Sequence, residues 1–258
     1  MFNDTRGEWT LARNRYLRQL GWSLNRPFDE SIVLWHLATD LYVHHTCTSP
    51  DDDVSARRCK VMSNYMVHLL SHNPEMLMPG SRKRLLEIAY EELEVLLEGE
   101  TTPMDEKELT ERVFEKCESA ASLSQDTASL VGDAWELAQS LLSVDETKIW
   151  ELIQGVWVEM LCFSASRCRG YLHAEALGTG VEFLSYVWIL LAYTGMETFA
   201  EKLQRRERNS FDSDEHYGNG AMRRRPWRTP TAKCRGRRRT SGPGQRPKQP
   251  LGVYIPSA

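Results

Sequence analysis

From Asp29 to about residue 204, apolar side chains recur every three or four positions, and no window alternates apolar with polar residues between turn signals. A period near 3.6 puts such residues on one face of a helix, whereas a half-buried strand needs a period of 2. The chain is therefore expected to be all-α: a single irregular helical bundle of about seven to nine helices with almost no strand. Of its 258 residues, 41% are apolar, enough for one sizeable domain and a tail rather than two full domains.

The pattern sets approximate limits for each helix. Residues 1–27 read as a polar lead-in, with an Arg-rich stretch around Trp9, Leu11, Leu17 and Leu20 able to form one short amphipathic helix. A helix follows from Asp29, at the expected N-cap, to about His45, with Leu34, Leu37, Ala38, Leu41 and Tyr42 as its stripe. The next runs from about Val54 to Ser71, with Val61, Met62, Tyr65, Met66, Leu69 and Leu70 inward, and Pro74 ends it. A third covers roughly Arg82–Glu98. Its first turn holds Arg82, Lys83 and Arg84 against the macrodipole, which reads as a docking patch for an acidic group or, by preference, as a solvated helix end.

Thr102 and Pro103 open a segment reaching about Ala121, and another helix covers Asp126–Leu142. Ser143 to Glu146 has the form of a capping box ahead of a long helix from about Asp145 to Arg167. Ile149, Leu152, Ile153, Val156, Trp157, Met160, Leu161 and Ser164 should face inward on it. Residues 171–204 give two more helical pieces, interrupted near Gly178 and Gly180. The longest apolar run, Phe183–Tyr193, is broken only by Ser185; it is far short of the roughly 20 residues that span a bilayer, and it reads as a buried helix.

Charge divides the chain. Residues 1–216 carry 21 Lys and Arg against 36 Asp and Glu, whereas residues 217–258 carry 11 basic residues and no acid. The tail, 205–258, is expected to be disordered from about Asn209, since Gly and Pro crowd it and little can be buried. Arg223, Arg224, Arg225, Arg237, Arg238 and Arg239 flank Trp227 and form two basic clusters. Such clusters suit salt-dependent phosphate binding or nuclear import; a solvated tail, or translation of a GC-rich segment in an unselected frame, gives the same composition. No secretory signal opens the chain, so a cytoplasmic location and six reduced thiols are expected, with the nucleus as the alternative the basic clusters raise.

Few constellations carry chemistry. His36, Asp40 and His44 share one helix face at i, i+4, i+8 and are the metal candidates; the competing reading makes His36 and Asp40 a buried polar pair that pins helix packing. His68 and His72 are four apart, but Leu69 stands where a zinc protease needs Glu. Glu151, Glu159, Glu175 and Glu182 show no spacing that selects a catalytic pair; Glu159 and Glu182 sit in apolar stretches, and a structural ion pair with Arg167, Arg169 or His173 is expected. Neither a phosphate loop nor a nucleophile elbow is present, so no catalytic residue and no cofactor is assigned.

Three stretches, taken in order, resemble a known family. They are Glu30–Asp40 (ESIVLWHLATD); Ser63–Leu70 (SNYMVHLL) followed by Asn73, Pro74, Pro79 and Gly80; and Trp150–Ile153 with Val156–Leu161, then Cys168, His173, Ala174 and Glu182–Trp188 (EFLSYVW). Together, over about residues 28–200, they resemble the plant domain of unknown function 594, abundant in grasses. The resemblance implies a helical domain over 28–204 with no established biochemical activity. It also implies that this chain corresponds to the C-terminal module, on the cytosolic face of the membrane, of longer membrane-anchored relatives, whose preceding hydrophobic helices are missing here through a short form or a partial gene model. Its signature side chains, Trp35, His36, Asp40, Asn64, Tyr65, Trp157, Glu159, His173 and Glu182, are expected to brace the interior. Two features depart from the family: Gly180-Val181 replaces a common glycine pair, and the basic tail has no counterpart. The function expected is a non-enzymatic protein-interaction module. The alternatives are a nucleic-acid-associated protein working through its tail and a metal-dependent enzyme at His36 and Asp40.

Overall fold

The computed structural model describes residues 4–46, 53–97, 106–122, 129–180 and 182–196. All lie in the first of two units, Met1–Ser213 and Asp214–Ala258. The expectations for the basic tail, for Cys47 and Cys234, and for the helix start at Thr102 and Pro103 fall outside the described residues.

Among the described residues the secondary structure is helical, with no strand. The helices are α1 (Glu8–Arg13), α2 (Leu17–Leu20), α3 (Phe28–Thr46), α4 (Val54–His72), α5 (Pro74–Leu77), α6 (Arg84–Leu96), α7 (Glu106–Ser122), α8 (Leu130–Leu142), α9 (Ile149–Arg167), α10 (Gly170–Thr179) and α11 (Phe183–Tyr193), with a 3₁₀ turn at Gly21–Ser23. Eight are ten residues or longer, within the seven to nine expected; α1, α2 and α5 are too short for periodicity to reveal.

Two central helices organise the packing. α3 lies against α4, α6, α7 and α8, and α9 lies against α1, α4, α5 and α11. Both are therefore buried on nearly every side, beyond the single stripe that the sequence suggests for α3: Ile32, Val33 and Trp35 join Leu34, Ala38 and Tyr42 in the core. Phe28 and Phe163 rings meet at 4.9 Å where the two helices approach. Trp35 and Trp157 are fully enclosed, and each still satisfies its indole N–H, donating to Ser23 Oγ at 3.0 Å and to Thr39 Oγ1 at 3.3 Å.

Several expectations are corrected. The presumed polar lead-in is part of the body: Leu11, Leu20 and Leu24 are fully buried in the main core. Val61 faces out of α4, 61% exposed, because Ala56, Cys59, Ser63 and Met66 take the inward side. The capping box before α9 does not form. Asp145 accepts instead from Thr147 N and Oγ1, Ser143 Oγ donates to Ser140 O, and the helix begins at Ile149.

Asp29 is not an N-cap either. It lies in the first turn of α3, nearly buried, and Arg82 grips it through Nε (2.8 Å), Nη2 (3.1 Å) and its backbone N–H (3.0 Å). Nη2 also reaches Glu30 at 2.8 Å. Burial pushes the Asp29 carboxyl up, but the hydrogen bonds and charge of Arg82 together hold it below its ordinary value. Arg82 thus precedes α6 and ties it to the start of α3. Lys83 and Arg84 beside it are exposed, as the preferred reading of a solvated helix end has it.

Candidate interaction surface

Most polar groups singled out by the sequence serve as internal braces. Glu159, in the middle of α9, is fully buried. Its carboxylate accepts from the backbone N–H of Gly7 (2.9 Å), Trp9 (3.3 Å) and Thr10 (2.6 Å), and from the Thr10 hydroxyl. The start of α1 thereby supplies the donors that the expected ion pair with Arg167, Arg169 or His173 would have supplied, and the positive end of a helix dipole suits the anion. Two glycines allow this approach. A Cβ on Gly155 would lie 2.6 Å from Thr10 Cγ2; one on Gly7, whose φ is +127°, would lie 2.9 Å from Val156.

His173 is equally enclosed. Its Nε2 lies 3.2 Å from the Ala165 carbonyl and its Nδ1 3.0 Å from Ser185 Oγ, while its ring stacks on Trp188 at 4.9 Å. A carbonyl only accepts, so Nε2 carries the proton and Nδ1 accepts from the serine. Burial lowers the pKa of this imidazole, although the Ala165 carbonyl partly offsets that. The group pins α10 and α11 to the end of α9.

His36, Asp40 and His44 do not converge. His36 pairs through Nδ1 with Ser63 Oγ at 2.9 Å, and its Nε2 lies 3.7 Å from Asp40. His44 Nε2 faces Lys60 Nζ at 3.2 Å, an ammonium where a metal would have to sit. Burial, above all, depresses His36, with Lys60 adding to it and Asp40 opposing it. Among the described residues no group of three His, Cys, Asp or Glu side chains is placed to hold a metal ion. His68 and His72 stack on each other at 4.3 Å on α4. Asn64 is exposed on the same helix. The described thiols, Cys59, Cys117, Cys162 and Cys168, are buried and free, and burial lifts them to about 12 for Cys59 and about 11 for the others, out of nucleophilic range.

Glu182 differs from these braces because it borders open space. It is the residue before α11. Tyr65 donates to its Oε1 at 2.6 Å, Asn73 Nδ2 approaches Oε2 at 3.4 Å, and the Tyr65 hydroxyl accepts from Leu184 N at 2.8 Å. Burial and the neighbouring carboxylate drive the phenol pKa far up, so Tyr65 acts as a donor and not as a base. Beside this junction a cleft of about 390 Å³ opens between α5 and α10, with Glu75, Lys83, Glu175 and Glu182 on its walls. Glu75 and Glu175 are exposed, and neither has an ion-pair partner among the described residues.

From the same junction runs the outer face of α11. Phe183, Tyr186, Leu190 and Tyr193 occupy one side of the helix at i, i+3, i+7 and i+10, and they are 53%, 51%, 61% and 88% exposed. Leu184, Ser185 and Leu191 face the body. The apolar run expected to be a buried helix therefore has one buried side and one bare side. A surface helix ordinarily places charged residues outward, and α11 has none. Contiguous exposed apolar surface of this kind is uncommon on an isolated domain. Periodicity could not find it: a helix apolar all round carries no phase, so nothing in the sequence says which side is left exposed among the described residues.

Residues 143–196 match a family model described as protein of unknown function, DUF594. The match covers the third of the three resembling stretches and includes α9, α10 and α11. No curated protein and no solved structure matches the chain.

Proposed function

We propose, from the premise that this chain is a member of the DUF594 family, that it works by protein contact, using the outer face of α11 as its docking surface. The observation that carries this reading is the bare aromatic and aliphatic face of Phe183, Tyr186, Leu190 and Tyr193 on an otherwise ordinary helical body. Aromatic side chains exposed together are the usual anchors of protein interfaces. The polar groups best suited to chemistry support a non-enzymatic role, since Glu159, His173 and Tyr65 are each committed to holding helices together. No described helix is long and apolar enough to cross a membrane, which suits a module held outside the bilayer in the longer relatives that the resemblance implies.

The test replaces Tyr186 with a photocrosslinking aromatic in cells expressing the full chain and identifies the adducts by mass spectrometry. The expected result is a discrete protein adduct that is lost in Leu190→Asp, a change at an exposed position that leaves thermal unfolding intact. Adducts indifferent to Leu190→Asp, or turnover of a substrate in a broad hydrolase screen, would overturn the reading.

A further inference from the structure

The partner's chemistry follows from what lies at one end of the α11 face. The face is a straight row about 15 Å long, and it begins beside the cleft at Glu182. Among the described residues that cleft sets three carboxylates, Glu75, Glu175 and Glu182, against the one ammonium of Lys83. Among the described residues the hydrogen bonds to Glu182 come from neutral donors, Tyr65 and Asn73, so no cation there cancels its charge. We propose that the occupant is an amphipathic helix of a partner protein, with its apolar stripe on Phe183, Tyr186, Leu190 and Tyr193 and a Lys or Arg at one end entering the cleft between Glu75 and Glu175. This rests on the protein-contact reading above and adds the sign of the partner's charge.

The same charges argue against the other occupants. An anionic membrane surface would be repelled at the acidic end of the row. Two copies of α11 pairing antiparallel would bring Glu182 of each to the negative, C-terminal end of the other's helix dipole, and pairing them parallel would bring Glu182 to Glu182. A basic helix brings the complementary charge to the place where it is missing, and a row of apolar anchors at helical spacing suits ridges packing into grooves.

The test uses the full chain and three fluorescein-labelled synthetic helical peptides. All share one Leu/Ala stripe, and their flanking positions are Lys, Gln or Glu. Binding is read by anisotropy at physiological salt. The Lys peptide should bind tightest and the Glu peptide weakest. Glu75→Gln/Glu175→Gln should weaken the Lys peptide about threefold to tenfold and leave the Gln peptide unchanged. The control Glu91→Gln/Glu94→Gln, the same change in net charge at exposed sites on α6, should leave all three unchanged. Equal effects of the two double variants, no preference among the peptides, or co-sedimentation with phosphatidylserine-containing vesicles in place of peptide binding would overturn the proposal. If Leu190→Asp abolishes binding of every peptide while the cleft variant does nothing, the protein-contact reading stands and the basic partner falls. If Leu190→Asp changes no peptide's affinity, the reading beneath it falls as well.

Discussion

Glu159 receives both of its oxygens' partners from a segment about 150 positions earlier in the chain. A carboxylate so enclosed is tolerated only while those donors remain. Glu159→Gln keeps the shape but gives up the charge-assisted bonds and turns one donor group toward other donors. It should lower stability by about 2–3 kcal/mol, read as a fall in the urea midpoint at unchanged slope. His173 gives a pH dependence. Its folded pKa lies below the unfolded value of about 6.5, so the unfolded chain binds the extra proton first. Stability is then complete above that value and declines as the pH falls below it, until the folded group itself titrates. His36 is depressed in the same direction and adds to the decline. Denaturant midpoints measured at pH 7 and pH 5 should differ, and the difference should shrink in His173→Gln, which keeps a donor toward Ala165.

α9 and α11 show which elements are legible in a sequence and which are not. For α9, every residue expected inside is buried, because its neighbours cover it on nearly every side and the strip of Glu151, Gln154, Gly155 and Val158 that lines an open cleft is the one the apolar pattern avoids. α11 is still more apolar, with Ser185 its one polar residue, but among the described residues α9, α10 and Tyr65 of α4 leave its outer side open, so the same reasoning fails for Phe183, Tyr186, Leu190 and Tyr193. Short elements escape for another reason: α2 and α5 have four residues each, about one turn, and one turn has no period. The cleft is legible only in pieces. Glu175 and Glu182 stand out as carboxylates, but Glu75 and Lys83 reach the cleft through the fold of α5 and the start of α6, which no local pattern encodes. The approach of α1 to α9 also has its own test. Gly155→Ala would place a methyl 2.6 Å from Thr10 Cγ2 in the middle of α9, against a side chain that Glu159 already holds in place. Although alanine favours helix, the change should destabilise by about 1–3 kcal/mol, and amide exchange should quicken in α1 before it quickens in α9.

At the scale of the whole molecule, the all-helical class is readable because period alone decides it. The limits of the body are not, because charge and arginine spacing disguise the first 27 residues as a lead-in. Those residues close one side of α9 and place three leucines in the main core. A truncated chain starting at residue 28, the boundary that sequence patterning recommends, would therefore leave Glu159 as a bare anion on an apolar surface. Such a fragment should be recovered mainly as aggregate, or should unfold at least 10 °C below the full chain in a thermal melt, a shift on the order of 3 kcal/mol for a domain of this size. Supplying residues 4–24 as a separate peptide should restore part of the loss. The opening segment is placed like the last stave of a barrel: it contributes little height of its own, yet it closes the wall against which α9 rests.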